Sequence, residues 1–246
     1  MCGITGFIGK REGMQEIISS MHRAIAHRGP DSSGSWIDEI NGVALGHQRL
    51  AIQDLSEAGY QPMHSPSNRF VIIFNGEIYN HFDIRESLEK SSTTPISWKG
   101  HSDTETLITS FELIGIEETL SLIKGMFALA VWDKKSNLLT LARDRTGEKP
   151  LFYGFLDNSL VFGSELKSIR KFPDFNNDIS KDALVSFFKY NYIPAPASIY
   201  ENIYKLSPGH LVQFNIEKGF AKSEKSKPYW SYSKVLQAAQ SNQFTS

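Results

Sequence analysis

Strand-like and helix-like stretches do not alternate one for one along this chain. Strands come in runs, with helices grouped between them, and that order argues for an α+β layered domain with largely antiparallel sheets. Residues 3–9 read as a strand. Met14, Ile17, Ile18, Met21 and Ile25 then recur at helical spacing, predicting an amphipathic helix that ends near the His27-Arg28-Gly29-Pro30 turn. Short strands follow at 43–50 and at Phe70-Val71-Ile72-Ile73-Phe74. Ser102 and Glu105 make a capping-box pattern, opening a helix expected to turn Leu107, Ile108, Phe111 and Ile114 inward. Further strands are read at 126–132, 137–142, 151–155 and 159–163, and helices at 165–171 and 181–189.

At 246 residues the chain is one large domain or two small ones, long enough to bury an ample core. Lys and Arg number 26 against 27 Asp and Glu, which gives no basic surface for nucleic acid. The longest apolar run, Met126 to Trp132, falls far short of the roughly 20 residues a membrane helix needs. Lys10 and Arg11 interrupt the N-terminus before a signal-peptide core develops. One cysteine excludes an intrachain disulfide framework, and a reduced cytoplasmic enzyme domain fits the whole. From about residue 217 the character changes. Lys222 to Lys227 reads as a linker, and Pro228-Tyr229-Trp230 with the stretch from Lys234 as the entrance to a further unit. The expected boundaries are therefore 2–216 for the main domain and 217–246 for the linker.

The single cysteine is Cys2, directly behind Met1 and ahead of a glycine-spaced apolar segment. Removal of Met1 would put a thiol and a free α-amine on one residue. An amine with a pKa of about 7.7–8.0 is a suitable base for a thiol near 8.5. The plainer reading is a chance residue on a frayed terminus, but the strand signal that follows holds this terminus inside the fold.

Other residues carry two readings each. Asn75-Gly76 between strand-like runs is the strongest short hairpin signal; the same pair can also offer an amide side chain and a backbone N–H to one oxyanion. Arg49, at the end of a strand, suits an ordinary ion pair or a bidentate grip on a substrate carboxylate. Asp103 belongs in the first turn of a capped helix for its dipole, or holds an ammonium group. Glu77 is similarly double. The seven histidines show no metal-ligand spacing, and no metal is expected. Gly3, Gly6 and Gly9 do not make a dinucleotide fingerprint, and no phosphate loop of the Gly-Lys-Ser/Thr kind occurs.

Met1-Cys2-Gly3-Ile4, His27-Arg28-Gly29-Pro30-Asp31, Gln48-Arg49-Leu50, Asn75 to Asn80 and Ser102 to Glu105 stand in one order. Together they resemble the class II glutamine amidotransferases, whose glutaminase domain is an N-terminal-nucleophile hydrolase. Gly125 to Ala128, Arg143 to Leu151, Gly163 to Lys167, Tyr192 to Pro196 and Lys205 to His210 are similar to the asparagine synthetase branch, carrying the likeness to about residue 210.

The resemblance implies a four-layer αββα sandwich and hydrolysis of L-glutamine through a Cys2 γ-glutamyl thioester. It implies Cys2 as nucleophile, Asn75 and Gly76 as oxyanion hole, Arg49 on the glutamine carboxylate, and Asp103 and Glu77 at its α-amine. The 28–34 segment resembles the family's loop near the site and is assigned no catalytic role. Full asparagine synthetases continue into an ATP-dependent domain with a Ser-Gly-Gly-x-Asp-Ser loop, which is not found before Ser246. The expectation is thus a glutaminase half, excised or naturally short, whose partner is that synthetase domain. No cofactor is expected in this chain, and ATP and Mg only in the partner. Alternatives are the same glutaminase feeding a different carboxylate acceptor, such as a sugar acid, or an inactive scaffold should Met1 stay attached.

Overall fold

The computed structural model describes residues 1–217 and 225–241. Its strands are β1 (Gly3–Ile8), β2 (Ser32–Asp38), β3 (Val43–Arg49), β4 (Met63–His64), β5 (Phe70–Ile78) and β6 (Gly125–Asp133). They continue with β7 (Leu138–Arg143), β8 (Phe152–Leu156), β9 (Ser159–Gly163), β10 (Ile203–Lys205), β11 (His210–Asn215) and β12 (Lys227–Pro228). The helices are α1 (Met14–Arg23), α2 (His81–Ser91), α3 (Asp103–Leu113), α4 (Ile116–Leu122), α5 (Leu166–Ile169), α6 (Lys181–Tyr190) and α7 (Tyr232–Ser241).

The strands form two 6-stranded sheets, ordered β10-β8-β9-β1-β3-β2 and β12-β11-β7-β6-β5-β4. Every neighbouring pair is antiparallel. Side chains alternate across a strand, so each sheet feeds two cores. Ile4, Ile8, Val43 and Leu45 of the first sheet meet Val71, Ile73, Ala128 and Ala130 of the second in a layer between them. On the outer face of the second sheet, Phe70, Ile72 and Phe74 pack against Ile84 and Leu88 of α2 and Leu107, Ile108 and Phe111 of α3. On the outer face of the first, Phe7 and Ala44 pack against Met14, Ile18 and Met21 of α1. The result is helix, sheet, sheet, helix, the sandwich expected. Because β5 and β6 are covered on both faces, they read as near-continuous apolar runs rather than as alternating ones.

Three local expectations are corrected. The Asn75-Gly76 hairpin does not form: β5 runs straight through both residues, which pair with Ala128 and Phe127. Nine residues of cross-strand register outweigh the local turn preference. Only half of the capping box exists, since Ser102 Oγ accepts from Glu105 N at 3.2 Å while the Glu105 carboxylate turns to Lys99 N, Gly100 N and Arg85. Ile114 is the C-cap of α3 and lies 36% exposed, outside the core its three neighbours fill.

The second sheet continues beyond residue 216. Lys227–Pro228 pairs with β11, and Tyr229 stacks toward Phe127, donating its hydroxyl to Arg143 O at 2.8 Å. Residues 218–224, which include Lys222 to Glu224 of the expected linker, lie outside the described residues, as do 242–246. No helix among the described residues is long and apolar enough to cross a membrane.

Candidate active site

The β1–β3 register pairs Gly3 with Gln48, so one step further Cys2 stands opposite Arg49. Both side chains share the face of the first sheet that looks toward β5. The turn before β2 fixes this end of β1. Arg28, buried, donates Nε–H to Cys2 O at 2.9 Å and Nη1 to Glu165 at 2.9 Å. Burial raises the Glu165 carboxyl, but bonds from Arg28, Lys167 and His27 outweigh it and hold Glu165 down to about 2. Gly29 lets this turn press on β3: a Cβ there would sit 2.5 Å from the Gln48 and Arg49 backbone. Sequence reasoning gave the 28–34 segment no role in the chemistry, and the structure makes its first residue the anchor of the Cys2 carbonyl.

Cys2 Sγ lies 3.4 Å from the Leu50 N–H, which donates to it, and 3.6 Å from Leu50 O. Burial pushes the thiol up, while the Leu50 bond, the terminal ammonium and Arg49 pull it down more weakly. With Met1 in place the Cys2 nitrogen is an amide, and no free amine adjoins the thiol.

Strand β5 supplies the donors. Successive backbone N–H groups point to opposite edges of a strand, so those of Phe74, Gly76 and Ile78 share one edge. Phe74 N donates to Gln61 Oε1 at 2.6 Å and Ile78 N to Asp103 Oδ2 at 2.8 Å. Between them Gly76 N–H faces the same edge; on its other side Phe127 turns its own N–H and C=O to Asp144, not to Gly76. Asn75 Nδ2 is buried without a hydrogen-bond partner among the described residues. An unpartnered buried amide is rare and costly in a protein interior, and half-buried Gly76 next to it turns its N–H away from β6. A Cβ on Gly76 would come within 2.3 Å of Met126 O and 2.6 Å of Phe127 Cβ, so only glycine fits.

Arg49 is buried, and its guanidinium donates to the carbonyls of Ser56 and Asp54 while stacking 4.9 Å from the Tyr60 ring. Among the described residues it makes no salt bridge. Asp103 heads α3. Burial raises its carboxyl to about 6 against the bonds from Ile78 and Thr104 N–H that lower it, and Glu77 adds to the rise.

Cys2, Arg49, Asn75, Gly76, Glu77 and Asp103 all line one cavity of about 140 Å³. That is well below the roughly 300–1,000 Å³ of pockets that take drug-sized ligands, and it suits a small polar molecule. Its lining carries a guanidinium, two carboxyl groups, and a thiol with the Asn75 amide and the Gly76 backbone. Such a set can grip an amino acid at both charged ends and present its side chain to the sulfur. Among the described residues no group of acids, histidines or cysteine is placed to hold a metal.

Several contributors were not legible in the sequence. Gln61 ties β5 to α3, donating Nε2 to Thr104 Oγ1 at 3.3 Å. His47 donates Nε2–H to Phe74 O at 3.1 Å across the two sheets; burial holds it down to about 4, so it is neutral. Lys149 enters the cavity from the loop after β7. None belongs to a periodic pattern, and only the Arg143 to Leu151 motif carried a signal for the last.

A family model described as a glutamine amidotransferase domain matches residues 1–230. The putative glutamine-hydrolyzing asparagine synthetase 2 of Methanocaldococcus jannaschii is 37% identical over 238 residues, which cover 89% of this chain and 45% of that protein. The glutamine-hydrolyzing asparagine synthetase 1 of Bacillus subtilis is 37% identical over 221 residues, 88% of this chain and 33% of that one. The chain therefore spans less than half the length of these relatives. Among solved structures, the glutamine phosphoribosylpyrophosphate amidotransferase of B. subtilis, complexed with ADP and GMP, superposes with a TM-score of 0.65. It covers 93% of this chain and 49% of its own at 20% identity, a likeness of fold. The sandwich, the order of motifs and the near-complete match agree: the chain belongs to the class II glutamine amidotransferase domain family.

Proposed function

We propose that this domain, once Met1 is removed, hydrolyses L-glutamine to glutamate and ammonia through a thioester on Cys2. The observation that carries the reading is the buried Asn75 amide, without a hydrogen-bond partner among the described residues, lining with Gly76 the cavity that holds the thiol. Arg49 would exchange its carbonyl partners for the glutamine α-carboxylate, and Asp103 with Glu77 would take its α-ammonium. The Cys2 amine accepts the thiol proton as sulfur attacks the side-chain amide carbon, and the oxyanion settles between Asn75 and Gly76. The amine returns its proton to the departing nitrogen, releasing ammonia and leaving the γ-glutamyl thioester. Water, activated by the same amine, then frees glutamate. One group with a pKa near ambient pH serves as base and acid in turn, and the chemistry needs no cofactor in this chain.

The ammonia passes to an ATP-dependent synthetase domain, with ATP and Mg acting there and aspartate the acceptor that the relatives' names support. Another carboxylate, such as a sugar acid, would leave this site unchanged. The scaffold reading follows if Met1, which lines the cavity, stays attached. Intact mass of the natural protein separates the two. Loss of the methionine mass together with glutamate release supports the enzyme; a retained Met1 without turnover supports the scaffold.

A further inference from the structure

Lys149 is a buried cation that lines the cavity. Its backbone N–H is held by Asp144 Oδ2 at 2.9 Å, so its place in the loop does not depend on its side chain. The residue is 7% exposed and makes no salt bridge among the described residues. Among the described residues its ammonium donates to one acceptor, the Met1 thioether, at 3.4 Å. A thioether is a weak acceptor and compensates little for burying a charge. Met1 is bonded directly to Cys2 N, which puts the Lys149 ammonium within about 10 Å of that nitrogen. Loss of Met1 removes this acceptor and turns the Cys2 nitrogen into an amine in the same step.

Other charged groups surround this cavity or contact Cys2. Arg28 bonds the Cys2 carbonyl and is paired with Glu165. Arg49 of β3 is occupied by carbonyls. Glu77 of β5 and Asp103 of α3 line the cavity, and as carboxylates both favour a protonated amine. Lys149 opposes them together with Arg49, whose guanidinium keeps its charge beside its carbonyl partners.

We infer that Lys149 is a positioning residue which, by like-charge repulsion across the cavity, keeps the Cys2 α-amine of the mature chain in its free-base form. The inference rests on the glutaminase reading above. A positive charge at this range, at an effective dielectric of about 20, lowers a neighbouring amine's titration by about one pH unit.

The test compares mature, Met1-free wild type, Lys149→Met and Lys149→Arg through the acid limb of kcat/KM for glutamine. Lys149→Met should move that limb up by about one pH unit and leave the high-pH plateau in place, while Lys149→Arg keeps the wild-type limb. A limb unmoved in Lys149→Met, or displaced equally in Lys149→Arg, overturns the inference. A second arm needs no variant to fold: acetylation of the wild-type α-amine by acetic anhydride, followed against pH by intact mass. A midpoint below about 7.7, the lower end of the ordinary range, supports the role of Lys149; one at or above it overturns that role. Acetylation needs no glutamine, so failure of turnover would count against the functional reading and leave this arm informative.

Discussion

At the scale of the residue, the site is a set of groups held in states they would not choose in water. Asn75 keeps a buried amide donor without a partner among the described residues, and in the proposed reaction its value lies in an oxyanion that exists mainly in the transition state. Asn75→Ala should therefore lower kcat by about 10²–10³ and leave KM nearly unchanged in a steady-state assay; a rise in KM at constant kcat would make it a binding residue only. Asp103 carries the pH dependence. Its carboxyl rises from 3.8 to about 6 on folding, so the folded protein holds a proton that the unfolded chain has already lost. The favourable contribution is complete below about 3.8 and lost as pH climbs through about 6. Asp103→Asn should accordingly gain stability relative to wild type above pH 6 in denaturant titrations, while weakening glutamine binding. In wild type, KM should rise as pH falls below about 6, where the carboxyl no longer opposes the substrate ammonium. A KM flat from pH 5 to 7 would take Asp103 out of substrate recognition.

At the scale of the element, β5 and the loop after β7 place the donors. Gly76→Ala puts a methyl against backbone atoms of β6, and overpacking of that kind costs about 1–3 kcal/mol. It should lower the melting temperature as well as activity. The loop is organised by Asp144, fully buried, whose carboxylate accepts the backbone N–H of Phe127, Thr146, Gly147, Glu148 and Lys149. Asp144→Ala leaves these donors unpaired and should cost about 3 kcal/mol or more in urea unfolding; a midpoint like that of wild type would show that water replaces the carboxylate. The same elements mark where sequence reading worked. Strands β6, β7, β8 and β9 were legible because each is largely apolar and bounded by turn residues. Helix α2 was not: it buries Arg85 and His81 beside Ile84 and Leu88, which blurs its apolar stripe. Strand β2, with its Ser-Ser-Gly-Ser start, buries little and shows no alternation of apolar residues.

At the scale of the whole molecule, layering was legible and register was not. The grouping of strands predicted antiparallel sheets. Which strand of one sheet would face which of the other is decided by long-range packing that no local pattern encodes. Cys2 and Asn75 meet because β1 lies in the first sheet and β5 in the second, and the shared core of Ile4, Val71 and Ile73 sets them face to face. The order of short motifs supplied the site residues, while the geometry of the cavity supplied their partners. The claim that unites these levels is that a processed Cys2 is the nucleophile. It is tested most directly by treating the Met1-free protein with a diazoketone analogue of glutamine and mapping the adduct by peptide mass. The account predicts one adduct, on Cys2, and none on chain that retains Met1; an adduct on any other residue, or equal labelling of both forms, would contradict it.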